Sequence, residues 1–199
     1  MLANTLGAVL LSASAAFTSV AAAPAKRADA ATTTTSADAT TTYPSHRETH
    51  TIVAGRGGLR FDPENVVAPV GSIIEFHFNP VNHSVVESSF AAPCQPKDAA
   101  SFFSGFFPVP RNPDGGVSQS EEVFQVEVKT TEPIWFYCAQ NTGRHCQSGM
   151  VGVINQNFDG DNTLAKHKEL AAKVEAPSGV QAQIQGGARI KNPNPLSGF

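Results

Sequence analysis

Long apolar runs are scarce in this chain. After residue 23 no stretch is long and apolar enough to span a bilayer, so no membrane span is expected in the mature protein. The last residues, Asn192-Pro193-Asn194-Pro195-Leu196-Ser197-Gly198-Phe199, form no hydrophobic tail, so a lipid anchor of the kind that replaces one is not expected. Charge is scarce too. The net charge is −3 and like charges run only briefly, which argues against nucleic acid as a partner. No internal repeat is present, and 199 residues allow one ordinary domain with flanking segments. Cysteine is limited to Cys94, Cys138 and Cys146, with no closely spaced pair of the kind a structural zinc site uses.

The N-terminal 23 residues carry the one long apolar stretch. Leu6, Val9, Leu10 and Leu11 begin it, and Val20-Ala21-Ala22-Ala23 offers the small residues of a signal-peptidase site. Residues 1–23 are read as a signal peptide, which makes the protein secreted, extracellular or wall-associated. Lys26-Arg27 follows, either as a processing site or as two exposed charges. Residues 24–45 form a Thr/Ala-rich linker that cannot bury a core and suits an O-glycosylated spacer.

From Thr49 the pattern becomes short strands between turns. Thr51-Ile52-Val53 is one candidate. In the next, Ile74, Phe76 and Phe78 alternate with Glu75 and His77, the period of a half-buried strand. Ser84-Val85-Val86-Glu87, Val123 to Val128, Ile134-Trp135-Phe136-Tyr137 and Met150 to Ile154 complete the set, while 91–116 reads as a long irregular excursion. Strands at this spacing predict an all-β Greek-key sandwich or barrel over residues 46–158. Residues 159–199 are expected to hold a short helix, capped by Asn162 or Thr163, and then a flexible tail.

An exported chain normally pairs its cysteines, so an odd count leaves one thiol to explain. It is a buried unreacted thiol, a cross-link between chains, or a thiolate held by a metal. The segment Cys138-Ala139-Gln140-Asn141-Thr142-Gly143-Arg144-His145-Cys146-Gln147-Ser148-Gly149-Met150 favours the last. It begins where one predicted strand ends and finishes where the next begins. A loop between neighbouring strands returns both its ends to one place, so Cys138, His145 and Met150 can converge. Met150 is the only methionine after Met1. Thiolate, imidazole and thioether together suit copper, and two His, one Cys and a weak axial Met make the blue-copper set. The second imidazole is assigned to His83, at the start of a strand in Asn82-His83-Ser84-Val85-Val86.

These segments, with Pro93-Cys94, Trp135-Phe136-Tyr137-Cys138 and His145-Cys146-Gln147-Ser148-Gly149-Met150, make residues 46–158 resemble the cupredoxins. The resemblance is nearest to the plant phytocyanins and the fungal extracellular serine-rich or cupredoxin-like proteins. It implies a cupredoxin-like fold with His83 and His145 as imidazole ligands, Cys138 as thiolate and Met150 as axial thioether. It also implies one copper per chain, cycling between Cu(II) and Cu(I), in a monomeric one-electron carrier that is not an enzyme. A redox partner is implied as a class only. The resemblance further implies a Cys94–Cys146 disulfide. In extended chain His145 and Cys146 point oppositely, which lets one face the metal and the other face away. One departure from the family is the six residues between Cys138 and His145.

The other histidines, His46, His50, His77 and His167, are expected in solvent. Asn82-His83-Ser84 matches a glycosylation sequon that is expected to go unused, with the Asn side chain bonding the loop backbone. Six histidines are too few for a multicopper oxidase. Cleavage after Ala22 or after Arg27 exposes Ala, so an oxygenase that needs an N-terminal His is not favoured. The alternative function is an extracellular copper-binding or wall-associated module without electron transfer.

Overall fold

The computed structural model describes residues 47–196. The expected signal peptide, Lys26-Arg27, the Thr/Ala-rich linker and His46 lie outside the described residues. Eleven strands and one helix follow in order. They are β1 (Thr49–Ala54), β2 (Phe61–Asp62), β3 (Asn65–Val66), β4 (Ile73–Phe78), β5 (Val81–His83) and β6 (Val86–Ser88). Then come β7 (Phe107–Val109), β8 (Glu122–Glu127), β9 (Ile134–Tyr137), β10 (Val151–Ile154), α1 (Leu164–Ala172) and β11 (Ala188–Lys191).

One sheet has the order β11-β8-β4-β1-β2 and the other β3-β10-β9-β6, while β5 and β7 form a small ribbon. Neither main sheet closes on itself, so the all-β fold is a sandwich rather than a barrel. Its core is apolar and rich in phenylalanine. Phe61, Phe76, Phe124 and Phe136 are fully buried, and Phe61 and Phe136 meet edge to face with centroids 4.9 Å apart. Burying such rings is the main favourable term holding the sheets together.

Three details differ from the sequence reading. First, β4 is buried on both faces: Glu75 is 1% exposed and His77 is 0% exposed, so His77 is not a solvent residue. Gln119, Gln125 and Asn192 cover that second face with hydrogen bonds. A polar side chain can leave water when every partner is supplied, and alternation alone does not reveal that.

Second, α1 is capped by Thr163, one of the two residues expected there, whose side chain accepts from the Lys166 N–H. Its buried residues are His167 and Ala171. His167 is therefore not solvated: its ring lies 4.6 Å from the Trp135 ring and 5.7 Å from that of Phe90. An amphipathic imidazole fills the gap between helix and sheet that a larger apolar residue would fill elsewhere.

Third, the segment after α1, expected as a flexible tail, runs back along the sandwich. Ala188–Lys191 pairs antiparallel with β8 as the edge strand β11. Gln185 donates to the carbonyls of Ala99 and Ser101, and Gln181 to that of Asp98. The glutamines that suggest solvation serve instead as hydrogen-bond donors to an irregular loop.

Candidate metal centre

The β9–β10 pair positions three of the four expected ligands. Tyr137 faces Val151 across the antiparallel ladder, so the next residue outward on each strand, Cys138 and Met150, meet at its open end. The Cys138 N–H donates to the Met150 carbonyl at 3.1 Å. Between them the chain coils in tight turns. The His145 N–H bonds the Gln140 carbonyl at 3.0 Å, and the Met150 N–H bonds the His145 carbonyl at 3.0 Å. Gly143 and Gly149 take positive φ values of 82° and 94° in these turns, a conformation that glycine adopts without strain.

His83 comes from the opposite direction. It ends β5, where it pairs with Phe107 of β7. Ser84, which the sequence reading did not single out, locks this strand to the loop. Its N–H points at Cys138 Sγ at 3.4 Å, and its Oγ accepts from the Ala139 N–H at 3.0 Å. Gly55 backs the imidazole from the other side. A Cβ there would lie 2.3 Å from His83 Nε2, and φ at Gly55 is +85°, so space and backbone both require glycine.

The outcome is a convergent donor set. Cys138 Sγ lies 3.4 Å from His145 Nδ1 and 3.9 Å from His83 Nδ1. The three donor atoms lie within 4.8 Å of one another, and all three residues are buried. Among the described residues this is the one group of His, Cys, Asp and Glu donors close enough to hold an ion. Met150 is 0% exposed, in the same apolar cluster as Cys138.

The pocket keeps its own groups neutral. Burial, with the neighbouring His145 adding to it, lowers the His83 pKa to about 4. Burial also lowers that of His145 and pushes the Cys138 thiol up to about 11, against the N–H groups of Gln140 and Ser84. His83 Nε2 is buried with no hydrogen-bond partner. Two neutral imidazoles and a soft sulfur, with no carboxylate among them, offer lone pairs to a cation and little else. Taking up a metal must therefore displace the Cys138 proton.

Cys94 and Cys146 form the disulfide, which leaves Cys138 free and buried. The bridge joins the ligand loop to a segment 52 residues earlier and contributes about 4 kcal/mol in the chain-entropy account. Asn82 departs from expectation in one respect: its Oδ1 is buried but bonds no backbone group.

No family model matches the chain. A protein named "Extracellular serine-rich protein", from Arthroderma benhamiae, is 34% identical over 70% of this chain and 51% of its own length. The chain thus spans about half the length of that relative. Among solved structures, pseudoazurin from Methylobacterium extorquens is similar at 21% identity, covering 64% of this chain and 86% of its own, with a TM-score of 0.37. Plastocyanin from Dryopteris crassirhizoma is similar at 18% identity over 53% of this chain and 97% of its own, with a TM-score of 0.32. Likenesses this slight carry no weight beside the sequence relatives. A second Arthroderma benhamiae protein, named "Probable GPI-anchored cupredoxin-1", is 33% identical over 70% of this chain and 69% of its own length, and the chain belongs to the cupredoxin family.

Proposed function

We propose that the protein is a blue-copper one-electron carrier that works outside the cell. The observation that carries the reading is the convergence of His83 Nδ1, His145 Nδ1 and Cys138 Sγ in a buried, carboxylate-free pocket. These three would hold one copper, and the Met150 thioether would add a weaker fourth donor. When bound, copper supplies a Cu(II)/Cu(I) couple. The chain's own residues do the rest. Cys138 gives up its proton on loading, and the Ser84 N–H faces the resulting thiolate. A hydrogen bond to the sulfur tunes the potential of such sites. Gly55 lets the His83 ring stand against the backbone. Ligands drawn from two sheet-anchored segments change little between oxidation states, which suits a carrier rather than a catalyst.

The cellular setting follows from the same reading. Residues 1–23 would be removed on export and residues 24–45 would space the copper domain from whatever holds it. One relative is named as extracellular and the other as GPI-anchored, which supports work at the cell exterior. Among the described residues no helix is long and apolar enough to cross a membrane.

The test is the visible spectrum of the purified, copper-loaded chain. Intense charge-transfer absorption from a Cu(II)–thiolate bond is expected, and Cys138→Ser is expected to abolish it. A colourless Cu(II) complex of the wild type would overturn the reading.

A further inference from the structure

The Cys138-to-Met150 loop is long, and Asn141, Thr142, Gly143 and Arg144 are exposed. A loop with so much surface in water gains little rigidity from its own packing. It nonetheless carries His145, whose placement decides the geometry of the donor set. Three of its side chains, three residues apart, reach outward to one segment of the chain that follows α1. Asn141 Oδ1 accepts from the Ser178 N–H at 2.7 Å, and Asn141 Nδ2 donates to the Ser178 carbonyl at 3.2 Å. Arg144 Nη2 donates to the Val174 carbonyl at 2.6 Å, and Gln147 Nε2 to the Ala176 carbonyl at 2.9 Å.

The same segment is tied from two more sides. The Gly179 N–H donates to the carbonyl of Cys94, the disulfide partner of Cys146. The hydroxyl of Tyr137, the residue before Cys138, donates to the Gly179 carbonyl at 2.8 Å. The carbonyls of Val174, Ala176 and Ser178 belong to alternate residues, the repeat of one edge of an extended chain. Val174 packs, half-buried, against the apolar cluster of Cys94, Tyr137 and Cys146, while Glu175, Ala176 and Pro177 are exposed and bury little. Beyond the Val174 contact, hydrogen bonds to the ligand loop and its anchors account for its position.

We propose that residues 174–179 are a strap that positions the His145 loop, with Asn141 as the central positioning residue. The proposal rests on the metal-site reading above. The strap holds the long loop closed, keeps His145 Nδ1 beside Cys138 Sγ and so slows the loss of metal. Asn141 touches neither donor atom and acts only through the loop.

The experiment uses the full chain as wild type, Asn141→Ala, Asn141→Asp and Tyr137→Phe. Each is loaded with copper(II), and transfer to an excess of chelator is timed. The visible spectrum of each loaded protein is recorded, and amide exchange is measured on the metal-free form. Asn141→Ala is expected to lose copper about tenfold faster, the worth of one or two hydrogen bonds. Its charge-transfer bands should change in relative intensity. Exchange should quicken at 141–149 while β1 and β4 keep their protection. Asn141→Asp keeps the acceptor for the Ser178 N–H and should fall between. Tyr137→Phe frees the strap at Gly179 without altering the loop and should shift the copper-loss rate the same way. Wild-type rates, spectrum and exchange in Asn141→Ala overturn the strap, as does faster exchange spread evenly over the whole sandwich. A wild type that takes up no copper overturns the metal-site reading instead. The exchange arm then decides the strap alone: selective loosening of 141–149 upholds it and unchanged exchange overturns it.

Discussion

His77 and His83 are both buried, at 0% and 1% exposure, yet their surroundings have opposite character. His77 sits in a finished polar network. Its Nε2 meets Glu75 Oε1 at 2.7 Å and its Nδ1 meets Gln119 Oε1 at 3.0 Å. Gln125 Nε2 donates to the second Glu75 oxygen at 2.7 Å, and Asn192 Nδ2 donates to Gln119. His83 has no such shell. Its Nδ1 faces a thiol and an imidazole, and its Nε2 has no partner. A buried polar group without a partner costs stability unless something else uses it. The network at His77 is closed and serves the fold by pinning the β11 end of the chain to the sheet. The lone pairs at His83, His145 and Cys138 are left for a ligand. Burial of a histidine therefore says nothing about function until its partners are counted.

Acid is expected to expose the difference most strongly. His83 and His167 both have pKa values lowered from 6.5 to about 4 by burial. Below pH 6.5 the unfolded chain takes up these two protons before the folded chain does. Stability of the metal-free protein is thus full above about pH 6.5, falls as the pH drops and reaches its floor below about pH 4. Each histidine contributes a slope of ~1.4 kcal/mol per pH unit in that window. Denaturant unfolding at stepped pH checks this, and His167→Phe should make the slope shallower. Bound copper should keep the share of His83 and carry it below pH 4, because a ligand nitrogen in the folded chain cannot take up the proton that the unfolded chain does. The displaced Cys138 proton should steepen the dependence further. An acid limb that levels off near pH 4 with copper as it does without copper would separate His83 from the metal.

Breaking the closed network is the next largest effect. Glu75→Ala strands His77 and Gln125 in the interior and should cost about 3–5 kcal/mol in unfolding free energy. Copper uptake by the fraction that folds should stay intact. His83→Ala strands no polar partner and should cost only about 1–2 kcal/mol in the metal-free chain, while copper binding is lost. If the two variants show the same stability loss, the contrast between closed and open networks is wrong.

Gly55→Ala tests the backing of His83 at smaller scale. The positive φ and the contact with the imidazole should together cost about 1–3 kcal/mol. The paramagnetic resonance and visible spectra of the copper form should show a displaced imidazole, and wild-type spectra would mean that the ring has room to move. Met150 should give the smallest change. Met150→Gln should keep copper and lower the reduction potential, because an amide oxygen is a harder donor that favours Cu(II). Met150→Leu should raise it, because nothing is donated. Voltammetry that finds neither shift would make Met150 a core residue only.

The strands and the meeting of Cys138 with His145 were largely legible beforehand, for a local reason. Ile134–Tyr137 forms β9 as read, and Cys138, His145 and Met150 lie on one loop whose ends a β-ladder must bring together. Chemically distinctive residues that close together in sequence need only one strand pair to meet. The β7 strand was not legible, because Phe107-Pro108-Val109 lies in a run of Pro and Gly and owes its pairing to β5, far back in the chain. His77 and His167 were misread for a similar reason. Their distant partners come from 119 and 192 in one case and from 90 and 135 in the other.

By itself the sequence determined the class of fold, the odd thiol and the kinds of donor atom that could gather around it. Those depend on side-chain period and on ligand chemistry, which are properties of short segments. Only the tertiary structure decided which histidines are closed into a network and which are left open. It also decided that Ser84 and Gly55 frame the donors, and that the polar stretch after α1 lies across the ligand loop. Hydrogen-bond satisfaction and close approach are set by residues that meet from distant parts of the chain, and no local pattern records those meetings.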